Sequence, residues 1–188
     1  MLNRNILLAS QSPRRRDILQ LANLSFRVVP PDIDESNTGN LPPELLPQHL
    51  ATKKAHAVTQ FARQNEIILA ADTVVIKNGI LYGKPVDRAD AIRMLQELSG
   101  NEHAVITGVC LKSDAREKAF SVTTRVLFRQ LHPSQIAFYV DHYHPYDKAG
   151  AYAIQEWIGV VGIKKIAGCY FNVMGLPMSR IWEELEHW

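Results

Sequence analysis

The run Ile67-Ile68-Leu69-Ala70-Ala71-Asp72-Thr73-Val74-Val75-Ile76 is the strongest strand signal in the chain. It continues through Lys77-Asn78-Gly79, an Asn-Gly hairpin signal, into Ile80-Leu81-Tyr82. Upstream, the short apolar run over 6–9 reads as a buried strand. Ser12-Pro13 then signals a helix start, since serine can cap and proline loses no needed N–H there. That helix should turn Ile18, Leu19 and Ala22 inward and end near Asn23, before a second strand over 26–29. Residues 30–47 are rich in Pro, Asp and Asn and read as a long loop, of a length that more often carries function than not. A long helix is expected over 47–63. Downstream, Asp87 can cap a helix with apolar positions Ala91, Ile92, Leu95 and Leu98, closed by Ser99-Gly100. Strands fit 104–111 and 121–128, and His132-Pro133-Ser134 opens a helix to about residue 142. Residues 168–173 read as a last strand, and Pro177 starts a C-terminal amphipathic helix. Strands alternate with helices but also form hairpins, so the fold class is α/β with a mixed sheet.

The chain has 188 residues, enough for one domain or two small lobes, and for a core that needs no disulfide or structural metal. Lys+Arg number 21 against 19 Asp+Glu, a formal charge of +2 that argues against a coat for nucleic acid or an anionic membrane. Any basic function must be local. Cys110 and Cys169 lie far apart with no ligand spacing and read as reduced, buried thiols. No apolar stretch nears the roughly 18 residues that span a bilayer. The apolar run near the N-terminus is too short for a signal-peptide core, so a soluble, cytoplasmic protein is expected.

Strand alternation places Asp72 on the face shared by Ile68, Ala70, Val74 and Ile76. A carboxylate there is costly to bury unless paired, hydrogen-bonded or bound to metal, which favours functional use over a surface accident. Ser10-Gln11-Ser12-Pro13-Arg14-Arg15-Arg16 puts three arginines into the first turn of a helix. Cations there oppose the macrodipole. Hydroxyls, guanidiniums and helix N–H groups together describe a phosphate pocket, and the plainer reading is a solvated basic turn. Lys54 lies on the apolar stripe with Leu50 and Val58 and either snorkels or reaches a site, whereas Lys53 falls on a solvent face and reads as solubilising. Lys84 in Gly83-Lys84-Pro85-Val86-Asp87 follows a hairpin. Lys148 in Asp147-Lys148-Ala149-Gly150-Ala151-Tyr152 sits beside small residues that permit close backbone approach. Asp32, Asp34 and Glu35 either ligate a hard cation or are simply solvated. The GxSxG, HExxH and GxGxxG signatures are absent, and the stretch from Gly79 to Lys84 is one residue short of a P-loop. Arginines, loop lysines and carboxylates together fit phosphate chemistry assisted by Mg²⁺.

Ser10-Gln11-Ser12-Pro13-Arg14-Arg15, Ala71-Asp72-Thr73-Val74-Val75, Gly83-Lys84-Pro85 and Asp147-Lys148-Ala149-Gly150-Ala151-Tyr152, with Thr107-Gly108-Val109, resemble the motifs of the Maf family of nucleoside triphosphate pyrophosphatases. They occur in order over nearly the whole chain. The resemblance implies one Maf-like domain over 1–188: two lobes sharing an elongated, twisted mixed sheet flanked by helices, with a central cleft, similar to inosine triphosphatases. It implies hydrolysis of a nucleoside triphosphate to the monophosphate and pyrophosphate with a divalent metal, Mg²⁺ or Mn²⁺. Asp72 matches the family's proposed catalytic base. Ile154-Gln155 after the lysine stretch matches the branch associated with dTTP and UTP, in which the positions of Arg14, Thr73 and Gln155 go with substrate choice. Ala153 and Glu156 stand where many members have glycine.

On this reading Asp72 activates water, or holds the metal that does, and Glu35 is the second metal carboxylate. Ser10, Arg14, Arg15, Lys54, Lys84 and Lys148 bind the triphosphate, and Gln155, both donor and acceptor, suits the edge of a pyrimidine. Two other classes stay open. One is a nucleotide-binding regulator of cell division with little turnover; the other is a nucleic-acid binder, which the near-neutral charge disfavours. No nucleic-acid or membrane partner is expected, and a homodimer is left open.

Overall fold

In the computed structural model, which describes residues 4–35 and 41–188, Asn78 and Gly79 take φ of 51° and 76° and fold the long strand back on itself. The turn residues are those a tight hairpin requires. Among the described residues, the first half of the chain forms β1 (Asn5–Ala9), α1 (Pro13–Leu21), β2 (Ser25–Val28), α2 (Leu46–Ala57), β3 (Glu66–Lys77), β4 (Ile80–Tyr82) and α3 (Arg88–Leu98). The second half forms β5 (Glu102–Lys112), β6 (Glu117–Phe128), α4 (Pro133–Tyr143), α5 (Trp157–Gly162), β7 (Ile163–Ala167), α6 (Tyr170–Met174) and α7 (Met178–Glu186). The strands make one mixed seven-stranded sheet in the order β2-β1-β3-β5-β6-β7, with β4 on the far end of β3. This is the expected α/β class, a twisted open sheet flanked by helices. Part of the expected 30–47 loop, residues 36–40, lies outside the described residues. No described helix is long and apolar enough to cross a membrane.

The chain divides into two compact units. The first holds the described residues through 72, with 107–122 and 175–188. Its centre is β1, which pairs in parallel with β2 on one side and β3 on the other, so that Ile6 faces both Phe26 and Ile67. A strand flanked in this way is buried on both faces, and Ile6, Leu7, Leu8 and Ala9 are all within the core. On one face Leu7, Ala9, Ile68 and Ala70 pack with Ala51, Ala55 and Val58 and with Cys110 of β5. Alanines let the helix lie close to the sheet. Gly108 of β5 makes this closeness absolute: a Cβ there would stand 2.2 Å from the backbone of Pro47 and Gln48.

Three expectations change in this unit. α2 stops at Ala57 instead of near residue 63, and Thr59–Phe61 forms a short 3-10 turn. Val58 and Thr59 are adjacent β-branched residues, and the Thr59 hydroxyl donates to the Ala55 carbonyl at 3.2 Å, which ends the regular ladder. Ser12 occupies the cap position of α1 but its side chain makes no capping bond. Lys53 does more than solubilise, since its ammonium donates to the Asp34 carbonyl at 3.0 Å. Cys110 is buried, as expected, and burial pushes its thiol up to about 11.

The second unit holds 73–106 and 123–174. Its core gathers Val75 and Tyr82 of the hairpin, Leu95 and Leu98 of α3, Tyr139 and Val140 of α4, and Ile154 and Ile158. Asp87 caps α3 by accepting from the Asp90 N–H at 2.8 Å, and His132 with Gln135 forms a capping box on α4. The expected last strand over 168–173 is a correction: residues 170–174 form α6, and the strand lies earlier, as β7. Asn172 is fully buried and donates to the Val105 carbonyl and the Thr124 hydroxyl, so distant partners override the local apolar pattern. β7 is an edge strand whose Lys164 and Lys165 are exposed, which hid it from a search for apolar alternation. Cys169 is half-buried instead of buried.

His103 of β5 lies among Phe128 and Tyr152, with ring centroids 5.2 and 5.4 Å away. Its Nε2 is 2.8 Å from the Tyr152 hydroxyl, and its buried Nδ1 has no hydrogen-bond partner among the described residues.

Two outcomes are expected of the fold. Gly108→Ala must displace α2 from β5 at a cost of about 1–3 kcal/mol, and thermal unfolding should show a midpoint lower by roughly 2–4 °C for each kcal/mol. An unchanged midpoint would contradict the close packing. Burial pulls the His103 imidazole down to about 4 from an ordinary 6.5. The unfolded chain therefore binds this proton first as pH falls, so the stabilisation is complete above about pH 6.5 and is lost toward pH 4. In urea titrations across that window, His103→Gln should flatten the pH dependence of stability.

Candidate active site

The chain leaves β1, passes through α1 to β2 on one side, and later places β3 on the other side. The carboxyl end of β1 is thus a topological switch point, where parallel α/β sheets open a crevice for ligands. Ser10 follows β1 there and is buried. Its hydroxyl accepts from the Ser12 N–H at 3.1 Å and from Arg15 Nη1 at 3.2 Å. Arg15 also donates through Nε to the Gly175 carbonyl at 2.8 Å. Burial lowers the pKa of this guanidinium, Asp72 raises it, Arg14 lowers it again, and Glu35 raises it. Four charged groups therefore act on one another at this strand end. The first turn of α1 contains no acidic residue to offset its arginines.

Asp72 lies on β3 two residues beyond Ala70, which pairs with Ala9, and it keeps the face of Ile68 and Ala70. The opposing surface is the stripe of α2 formed by Ala51, Ala55 and Val58, and Lys54 lies on it. The Lys54 ammonium is consequently 2.6 Å from Asp72 Oδ1, and it also meets Glu35 Oε1 at 2.8 Å. Asp72 is 15% exposed and Glu35 49%, so the cluster opens toward solvent on the Glu35 side. Lys53 secures the loop that brings Glu35 in. The helix register alone could not reveal this role, because the partner is a loop carbonyl. Of the acidic group, Glu35 enters the site and Asp32 is exposed.

Two carboxylate oxygens converging on one cationic group form a hard-oxygen donor pair that suits a divalent cation, which takes its other ligands from phosphate and water. Among the described residues, no group of three or more His, Cys, Asp or Glu meets at one point. Asp72 and Glu35 are the residues that would hold a metal.

In the second unit, the loops carrying Lys84 and Lys148 are tied by a hydrogen bond from the Gly150 N–H to the Gly83 carbonyl at 3.0 Å. Gly150 (φ 68°) and Ala151 (φ 58°) are both left-handed, and a Cβ on Gly150 would press on Val75 at 3.1 Å. Lys148 is buried, with its ammonium 2.7 Å from Asp147 and 3.4 Å from Glu156. Lys84 and Gln155 are exposed, and Thr73, next to Asp72 in β3, is half-buried. The structure thus gathers Ser10, Arg15, Glu35, Lys54 and Asp72 in the first unit, and the loops of Lys84 and Lys148 in the second. Residues missed from sequence are Lys53 and Tyr139, whose hydroxyl donates to Glu156.

The family model described as Maf-like protein matches residues 5–188. A dTTP/UTP pyrophosphatase of Bacteroides fragilis is 47% identical over 182 residues, covering 96% of this chain and 94% of that protein. Those of Phocaeicola vulgatus and Bacteroides thetaiotaomicron are 44% and 41% identical with the same coverage. A HAM1 protein from Coxiella burnetii superposes with a TM-score of 0.46 at 20% identity, over 66% of this chain and 73% of that one. The Staphylococcus aureus Ham1 protein gives 0.45 at 17%, over 66% and 72%. A family match that runs from the first strand to the last residue, together with relatives above 40% identity along nearly their whole length, leads to one conclusion: the chain belongs to the Maf family.

Proposed function

We propose that this chain is a nucleoside triphosphate pyrophosphatase that hydrolyses dTTP and UTP to the monophosphate and pyrophosphate in the cytoplasm, where free nucleotides are found. Relatives at 41–47% identity carry that name. The observation that carries the reading is the cluster of Lys54, Asp72 and Glu35, at the same strand ends as Ser10 and Arg15. Asp72 is enclosed enough to be oriented by Lys54 and exposed enough to meet water. It takes a proton from that water as the oxygen bonds to the α-phosphorus, and the bond from the α-phosphorus to the bridging oxygen breaks. Pyrophosphate leaves with the electron pair.

Arg14, Arg15 and Lys54 offset the negative charge of the phosphates, and the Ser10 hydroxyl holds Arg15 in place. Asp72 and Glu35 would hold a divalent cation, which when bound would neutralise charge on the phosphate oxygens. Lys84 and Lys148 are assigned to the phosphates, and Arg14, Thr73 and Gln155 to the choice of base, on the resemblance of their motifs.

The test is incubation of the pure protein with Mg²⁺ and a panel of nucleoside triphosphates, with the products identified. Pyrophosphate and a pyrimidine monophosphate are expected, and activity should stop with a chelator. Orthophosphate as the first product would overturn the reaction. Asp72→Asn should lower kcat by about 10²–10⁴, the usual worth of a positioned base, and full activity in that variant would remove Asp72 from its role. Glu35→Gln should raise the Mg²⁺ concentration needed for half-maximal rate.

A further inference from the structure

Glu156 occupies the cap position before α5, yet its side chain makes no capping bond to that helix. Its backbone carbonyl does the work instead, accepting from the Gly159 N–H at 2.9 Å and the Val160 N–H at 3.3 Å. Gly159 closes on the preceding loop so tightly that a Cβ would stand 1.8 Å from the Ile154 carbonyl oxygen, which fixes the backbone around Glu156. The carboxylate turns back toward α4. There the fully buried Tyr139 accepts from the Ala153 N–H at 3.1 Å and donates its own O–H to Glu156 Oε2. The other carboxylate oxygen, Oε1, lies 3.4 Å from the Lys148 ammonium. Two hydrogen bonds thus run from the Ala153 backbone through Tyr139 to Glu156, and an ion pair links Glu156 to Lys148.

Lys148 has a second anion, Asp147, at 2.7 Å. The two carboxylates differ in surroundings, Asp147 being 58% exposed and Glu156 22%. Lys148 is thus shared by two carboxylates, and a phosphate that binds it competes with one of them. The exposed carboxylate, readily solvated once released, gives way more easily than one held by a buried hydroxyl.

We propose that Glu156, braced by Tyr139, is a positioning residue that holds Lys148 for a phosphate of the substrate, and that Asp147 is the counter-ion the phosphate displaces. The inference rests on the pyrophosphatase reading, because it needs Lys148 to meet the triphosphate.

Steady-state kinetics with UTP and Mg²⁺ test it, with thermal unfolding as a control for folding. Lys148→Ala should raise KM about tenfold, the worth of a hydrogen bond to a charged group. Glu156→Gln keeps an acceptor for Tyr139 but removes the charge, and it should raise KM by about threefold or more with kcat within about twofold. Tyr139→Phe should move KM in the same direction, and Glu156→Asp should restore part of the loss seen with glutamine. Asp147→Asn should lower KM, the opposite sign, which a merely structural pair would not produce. If Glu156→Gln does not fold, Tyr139→Phe and Glu156→Asp carry the comparison. A raised KM in Lys148→Ala with wild-type KM in Glu156→Gln and Tyr139→Phe overturns the brace and leaves the pyrophosphatase reading intact. An Asp147→Asn variant that raises KM overturns the displaced counter-ion. Unchanged KM in Lys148→Ala, or a wild-type protein that hydrolyses no nucleoside triphosphate, overturns the assignment at its base.

Discussion

A lysine on the apolar stripe of a helix has to meet an anion, because a buried charge without a partner is among the most destabilising features a fold can contain. Lys54 is that lysine, and Asp72 and Glu35 are its anions. Much of the first unit is arranged to let them meet. Ala51 and Ala55 are small enough for α2 to approach β1 and β3, and Gly108 gives the start of the helix room against β5. Lys53, one residue away on the neighbouring face, holds the loop that delivers Glu35. The contact also keeps a carboxylate oriented while part of it still reaches solvent.

Parallel pairing of β1 with strands on both sides makes its carboxyl end the place where the chain direction diverges. Ser10 uses that position twice, closing the turn into α1 through the Ser12 N–H and steadying Arg15.

The two buried lysines among the described residues answer their desolvation in the same manner. Lys54 meets the enclosed Asp72 and the exposed Glu35, and Lys148 meets the more enclosed Glu156 and the exposed Asp147. In each case one anion anchors the ammonium and the other lies where solvent can replace it. Ala153 and Glu156 are both part of the second arrangement, through the Tyr139 hydroxyl.

The hairpin at Asn78-Gly79, the cap at Asp87, the helix start at His132-Pro133-Ser134, the apolar stripe carrying Lys54 and the face of β3 carrying Asp72 were all legible in the sequence. Each rests on neighbours within one turn or a few strand residues, where periodicity and local hydrogen bonding decide. Tertiary structure alone decided that Lys54 meets Asp72 and Glu35, that Glu156 meets Tyr139, and that residues 170–174 coil where an apolar run suggested a strand. Those outcomes depend on groups 14 to 67 positions apart, as Tyr139 is from Glu156-linked Ala153 and Asn172 is from Val105. Only the packed chain brings such partners within bonding distance, and burial then makes each pairing obligatory.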